Sequence, residues 1–168
     1  MRVLTPLLLI CVLHVIPGGD VRAAAAEDTA TATVLGVNAQ LADGSEAMLQ
    51  GDWQRGIELT TQGLSATVSI SDRAAALANL CAAHAALKQF AQALQFCDQS
   101  LALQETSWRT WQNRAACHLG LGNIEESLRD LQRGLALNPD SDTLQKTLAI
   151  AREREKLRQE QLQQLTES

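Results

Sequence analysis

The chain has 168 residues, 46% of them apolar and 3% aromatic, with three prolines and no tyrosine. That is enough apolar chain for one compact core, which excludes wholesale disorder; the absence of long Val/Ile alternation disfavours an all-β fold. Lys and Arg number 14 against 19 Asp and Glu, a net charge of −5, which disfavours a general nucleic-acid binder because that function needs a basic face.

Residues 1–26 are predicted to be a secretory signal. Arg2 supplies the positive start, Val3 to Ile16 form an apolar run, and Pro17-Gly18-Gly19 ends it. Small residues at Ala23 to Ala26 offer a cleavage site. The run of about 14 residues is shorter than the roughly 20 needed to cross a bilayer as a helix. Loss of this leader removes Arg2, Asp20 and Arg22, leaving 12 basic and 18 acidic residues, net −6. No second run is long enough to span a membrane, so the expected product is soluble in the periplasm or secreted. Residues 27–36, rich in Ala and Thr, lack helical periodicity and are expected to form a flexible linker.

Helical periodicity begins near residue 37, in pieces of about 14 residues, each about 21 Å long. Short turns are expected at Gly51-Asp52, Lys88-Gln89 and Gly122-Asn123. The segments GDWQRGIELTTQGL (51–64), KQFAQALQFCDQSL (88–101) and GNIEESLRDLQRGL (122–135) superpose without gaps, at offsets of 37 and 34 residues. The preceding segments ALANLCAAHAAL (76–87) and TWQNRAACHLGL (110–121) also align. The first offset carries three extra residues, assigned to the connection Ser65–Arg73.

A 34-residue helix–turn–helix period resembles the tetratricopeptide repeat family. The third copy carries Trp111, Arg114-Ala115, His118, Gly122, Ile124, Ser127, Leu131, Gly134 and Asn138-Pro139. The second carries Leu77, Leu80-Cys81, His84, Phe90, Ala93, Cys97 and Ser100, and the first keeps Gly44, Ala47, Gly51, Asp52 and Trp53. The resemblance implies an all-α fold, with antiparallel helix–turn–helix repeats stacked in a right-handed superhelix. The three repeats span 37–139 (37–70, 74–106 and 107–140), and residues 141–168 form a capping helix with a charged tail. Small residues at Gly44, Cys81 and Ala115, and at Gly56, Ala93 and Ser127, let paired helices approach closely. Trp111 is expected in the core, where truncation to Ala would cost about 3–5 kcal/mol. Charged pairs Glu153/Lys156 and Glu155/Arg158 are expected along the last helix.

In this family the leading helices line a concave groove for an extended peptide or a partner helix. The resemblance places Asn79, Ala82, Arg109, Gln112, Asn113 and Ala116 in that groove, with Leu41, Ser45 and Met48 on the first repeat. The implied surface is shallow, Ala-rich and neutral, with one cation at Arg109. Some relatives clamp a C-terminal carboxylate with two cations and two asparagines. Here only Asn79 and Arg109 fit that set, and Leu41, Ser45 and Asn113 stand where Lys, Asn and Arg would be.

Cys81, Cys97 and Cys117 remain after the leader. By the repeat register Cys81 holds the close-contact position of its helix, Cys97 lies on the helix paired with it, and Cys117 lies on the next leading helix, which packs against that of Cys97. One bridge plus a free thiol is conceivable, with Cys97–Cys117 as the candidate disulfide, and the simpler alternative is three small buried thiols. His84 and His118 share one repeat position and read as packing residues. The paired-cysteine spacing of a structural zinc site is absent, so no metal is expected. No nucleophile elbow or phosphate-cradling loop occurs, so neither catalysis nor a cofactor is expected. Two functions follow: a non-catalytic module holding a protein or peptide partner in its groove, or an adaptor that self-associates or docks through Leu157, Leu162 and Leu165.

Overall fold

The computed structural model describes residues 38–66 and 68–167; the predicted leader and linker lie outside them. Seven helices make up the described part: α1 (Ala39–Leu49), α2 (Trp53–Leu64), α3 (Ile70–Ala86), α4 (Phe90–Leu103), α5 (Trp108–Leu121), α6 (Ile124–Leu137) and α7 (Asp142–Glu167). No strand occurs among these residues.

Local chemistry sets most helix starts. The side chain of Asn38 accepts from the amides of Gln40 and Leu41 at 3.0 and 3.2 Å, and Asp52 accepts from Arg55 at 3.1 Å. Ser69 accepts from the Asp72 amide at 3.0 Å while its hydroxyl donates to the Asp72 carboxylate, and Ser107 accepts from Thr110 at 3.3 Å. Each of these satisfies an amide that the first helical turn leaves unpaired. No side chain caps α6 at Asn123; Glu125 and Glu126 in its first turn favour the positive end of the helix dipole instead.

The three intra-repeat turns fall where the repeat predicts them. Gly51 and Gly122 adopt φ of 81° and 84°, and Lys88 adopts 59° at the equivalent position. A side chain in this left-handed region costs roughly 1–2 kcal/mol, so Lys88 is the strained member of the set. The three extra residues of the first offset do not form a longer loop. They extend α3 to 17 residues against 14 for α5, so Ile70 to Arg73 are helical rather than connecting.

The helices pair as α1/α2, α3/α4 and α5/α6, each pair packs on the next, and α7 closes the end against α6 and α5. Leading helices also touch in series: α1 with α3, α3 with α5, and α5 with α7. This is an α-solenoid, in which no pair buries its apolar face alone. Close approach within each pair is visible at equivalent positions. A methyl added at Gly44 would collide with Thr60, and one at Gly56 with Met48. Cys81 opposite Cys97 and Ala115 opposite Leu131 occupy the same contact in the later repeats, all fully buried.

Leu144 and Ala151 of α7 are buried beside Ala115, Leu119 and Leu131, so this helix covers the last repeat. Beyond it, Arg154 donates to the Leu119 carbonyl at 3.1 Å, and Arg158 bridges Glu155 and Glu125 at 3.0 Å. The expected Glu155/Arg158 pair therefore forms, whereas Lys156 pairs with Glu160 at 3.8 Å rather than with Glu153.

Trp111 corrects the core expectation. It is half-buried, its indole N–H donates to the Glu105 carbonyl at 2.7 Å, and it lines an open cavity with Glu105, Thr106, Arg133, Ala136 and Leu137. The indole that packs on the last core cluster is Trp108, so the full burial penalty does not apply to Trp111.

Lys88→Gly is expected to raise stability by about 1 kcal/mol, since it relieves the left-handed strain less the extra unfolded-state entropy of glycine. Urea unfolding of the two chains measures it; an unchanged midpoint would show that Lys88 is not strained.

Candidate functional site

The candidate site is the concave side of the leading helices α1, α3 and α5. Asn79 and Ala82 lie on α3, and Arg109, Gln112, Asn113 and Ala116 on α5. The contact between α3 and α5 brings the two sets together. Asn79 and Asn113 hold equivalent repeat positions, as do Ala82, Ala116 and Ser45.

Their accessibility differs from that of a shallow solvated surface. Asn79, Ala82, Gln112 and Asn113 have 0% exposure and Ala116 has 5%. Only Arg109 of the set is exposed, with its guanidinium carbon 4.4 Å from the centroid of the Trp108 ring. On the first repeat Leu41 and Ser45 are also at 0% and Met48 at 1%. Buried amide side chains are costly unless hydrogen-bonded, and Asn79, Gln112 and Asn113 each have an interaction partner within the chain.

A second polar cluster joins the repeats on the other side of α5. The Arg114 guanidinium donates twice to Asp130 of α6, both at 2.8 Å, and once to Asp98 of α4 at 2.8 Å. It also lies 4.7 Å from the Trp111 ring centroid. These bonds hold Arg114 firmly charged, its pKa raised above the normal arginine value chiefly by Asp130. The bidentate geometry is the strong form of this pairing. Arg114 takes the position that Leu80 fills in the second repeat, a departure visible in the sequence, although its two partners are not.

His118 lies 3.9 Å from Asp130. Burial lowers its pKa below the ordinary 6.5, opposed by the charge of Asp130. His84, at the equivalent position, stacks on Phe96 with centroids 5.1 Å apart and pairs with the Gln89 side chain at 2.6 Å. Both act as packing residues.

The disulfide is Cys81–Cys97, with Cα atoms 5.2 Å apart, and Cys117 is a buried free thiol. This corrects the expected Cys97–Cys117 pairing. The close contact within the α3/α4 hairpin places residues 16 apart face to face, as at Gly44/Thr60 and Ala115/Leu131, whereas Cys117 packs in the same cluster without bonding. Closing a loop of that size removes about 3 kcal/mol of unfolded-chain entropy. The disulfide also takes Cys81 out of any ligand pair with His84. Burial, reinforced by Asp130, pushes the Cys117 thiol up to about 12, so it stays protonated and unreactive.

Two measurements check these assignments. Alkylation in denaturant should modify Cys117 without reductant, and Cys81 and Cys97 only after reduction, with Cys117 resistant in the folded chain; modification of Cys81 without reductant contradicts the pairing. Stability should fall as pH drops below about 6.5. The unfolded chain, with the normal histidine pKa, then binds the proton that folded His118 resists. Thermal melts at about pH 7.5 and pH 5.5 should differ less in His118→Leu than in the unaltered chain; an equal difference removes His118 from that dependence.

Residues 80–158 match the model of the tetratricopeptide repeat family. Curated relatives include sperm-associated antigen 1 of Mus musculus and of Rattus norvegicus, each 29% identical over 112 residues, 67% of this chain. The chain spans 12% of the length of those relatives. Among solved structures, the first TPR domain of human RPAP3 is 23% identical with a TM-score of 0.65, over 72% of this chain and 93% of that one. The first TPR of Spaghetti (RPAP3), bound to the HSP90 peptide SRMEEVD, is 24% identical with a TM-score of 0.62, over 68% and 90%. The Hsp90 co-chaperone Cns1 of Saccharomyces cerevisiae gives 18% and 0.68, over 76% and 42%. With matched residues that run from α3 into α7, and three stacked hairpins that resemble these domains, the chain has the tetratricopeptide repeat fold.

Proposed function

We propose that this protein is a non-catalytic interaction module that holds an extended peptide along the concave face of α1, α3 and α5. The observation that carries this reading is exposed Arg109 on the leading helix α5, on a fold shared with domains that hold peptides, because extended peptides are held by a few placed polar and charged groups along a groove. A similar fold holds the HSP90 peptide SRMEEVD in the Spaghetti domain, which supports a peptide as the ligand class.

The ligand differs from a chain terminus. A carboxylate needs paired cations, and the positions that would carry them include Leu41 and Asn113. With Arg109 the exposed cation of the predicted set, the fitting ligand is an internal segment with an acidic residue at one end and small side chains along its length.

Export belongs to the same reading. The leader pattern of residues 1–26 supports it, and so does the Cys81–Cys97 disulfide, because such bonds persist in oxidising compartments such as the periplasm or the extracellular space. A second reading, docking or self-association through the end of α7, draws on the exposure of Leu157 and Leu162 at 48% and 53%; light scattering over a concentration series separates the two.

Affinity capture from an extract of that compartment, followed by mass spectrometry, identifies the partner. Arg109→Glu is expected to weaken capture about tenfold, the loss of roughly 1.4 kcal/mol, with helicity and melting unchanged. Capture at the original level would remove the groove from the proposal.

A further inference from the structure

One edge of the stack carries exposed apolar residues in series. The starts of α3 and α5 and the ends of α4 and α6 share that edge, because each hairpin is antiparallel. Ile70, Leu103 and Leu137, at those helix ends, are exposed at 71%, 40% and 44%. Among them opens the cavity of about 390 Å³ lined by Trp111, Arg133, Glu105, Thr106, Ala136 and Leu137. We propose that this cavity is a second binding site, for a bulky apolar side chain next to one Asp or Glu in an extended segment of a partner protein. It lies at the edge of the stack rather than on the concave face, and it does not rest on the groove reading.

The indole of Trp111 is held in place before any ligand arrives. Its N–H donates to the Glu105 carbonyl at 2.7 Å. The Arg114 guanidinium carbon lies 4.7 Å from its ring centroid, and Arg114 is itself held by Asp98 and Asp130. What the ring presents to the cavity is therefore apolar surface in a fixed orientation, so an aromatic anchor stacks there with little ordering cost. Arg133 supplies the charge. It is exposed and makes no ion pair among the described residues, and Trp with Arg is the composition of the strongest interface contacts. Glu105 at the same wall repels a second acid, which limits the ligand to one carboxylate. The repeat itself does not require this pair: Leu77 and Gln99 hold the equivalent positions one repeat earlier, and Leu77 is buried. The volume falls at the lower end of ligand pockets, roughly 300–1,000 Å³. A small molecule is normally enclosed over most of its surface, whereas this cavity is open and stands in line with Leu103 and Ile70, which suits one side chain of a longer chain.

The probes are blocked dipeptides added to the full chain: acetyl-Phe-Asp-amide, acetyl-Phe-Asn-amide and acetyl-Ala-Asp-amide. The readout is the NMR resonance of the Trp111 indole N–H, assigned by its loss in Trp111→Phe, with the Trp53 and Trp108 resonances as references. Acetyl-Phe-Asp-amide is expected to shift the Trp111 resonance saturably in the millimolar range. Asn in place of Asp should weaken binding about threefold, the size of one exposed ion pair, and Ala in place of Phe about tenfold. Arg133→Gln should abolish the preference for Asp over Asn and leave the Phe-Asn probe unchanged, while Arg133→Lys keeps the preference. In the unaltered chain, salt at about 1 M should erase the same preference, since charges are then screened within about 3 Å; this measurement decides if Arg133→Gln lowers the melting temperature. The absence of a saturable shift at Trp111 overturns the proposal, and so does a shift of Trp108 alone, which places the probe beside Arg109. A preference for Asp that survives both Arg133→Gln and high salt overturns it too. Free phenylalanine binding as tightly as the blocked dipeptide would assign the cavity to a small molecule and remove the partner segment.

Discussion

Every level of this structure depends on one close contact repeated three times. Within each hairpin, a residue of the leading helix faces a residue 16 positions later on the returning helix: Gly44 with Thr60, Cys81 with Cys97, and Ala115 with Leu131. All are buried, and the pairs divide the available volume differently. The first repeat uses glycine, so that α1 and α2 nearly touch at their backbones. The third sets a small residue against a large one. The second turns the contact into a covalent bond. Interior packing at crystal-like density makes the spacing of the axes sensitive to each of these choices.

The stack is also tied across repeats, by different means on different helices. Arg114 reaches from α5 to α4 and α6 through Asp98 and Asp130, replacing an apolar contact with a directional one. Within the second hairpin, Ser100 of α4 donates to the Ala74 carbonyl of α3 at 2.8 Å. At the far end Arg154 and Arg158 seat α7 on the last repeat. Charged groups at the seams must be satisfied together or not at all, which favours one register of stacking over sliding alternatives.

Much of this was legible in the residues. The turns at Gly51, Lys88 and Gly122, the hairpin pairing and the covering stripe Leu144, Leu148 and Ala151 follow from periodicity alone. The misses share a cause. The repeat pattern places Trp111 among the bulky residues around the helix contacts, yet its ring lines an open cavity with Glu105 and Arg133. The 16-residue recurrence did contain the signal for Cys81 with Cys97, but adjacency of helices does not distinguish one facing pair from another; side-chain direction does. The extra residues before Ala74 were assigned to a connection, and Ser69 with Asp72 instead began the helix a turn early.

The linear order of residues determined which segments coil and which pair, because hydrogen-bonded turns and apolar spacing are local properties. It also determined the helical-hairpin repeat, through positions that recur at fixed offsets. Only the folded stack decided which cysteines bond, which tryptophan is core, and that Asn79, Gln112 and Asn113 are shielded from water. Those outcomes depend on distances and directions between helices far apart in the chain, and packing of the whole molecule sets them.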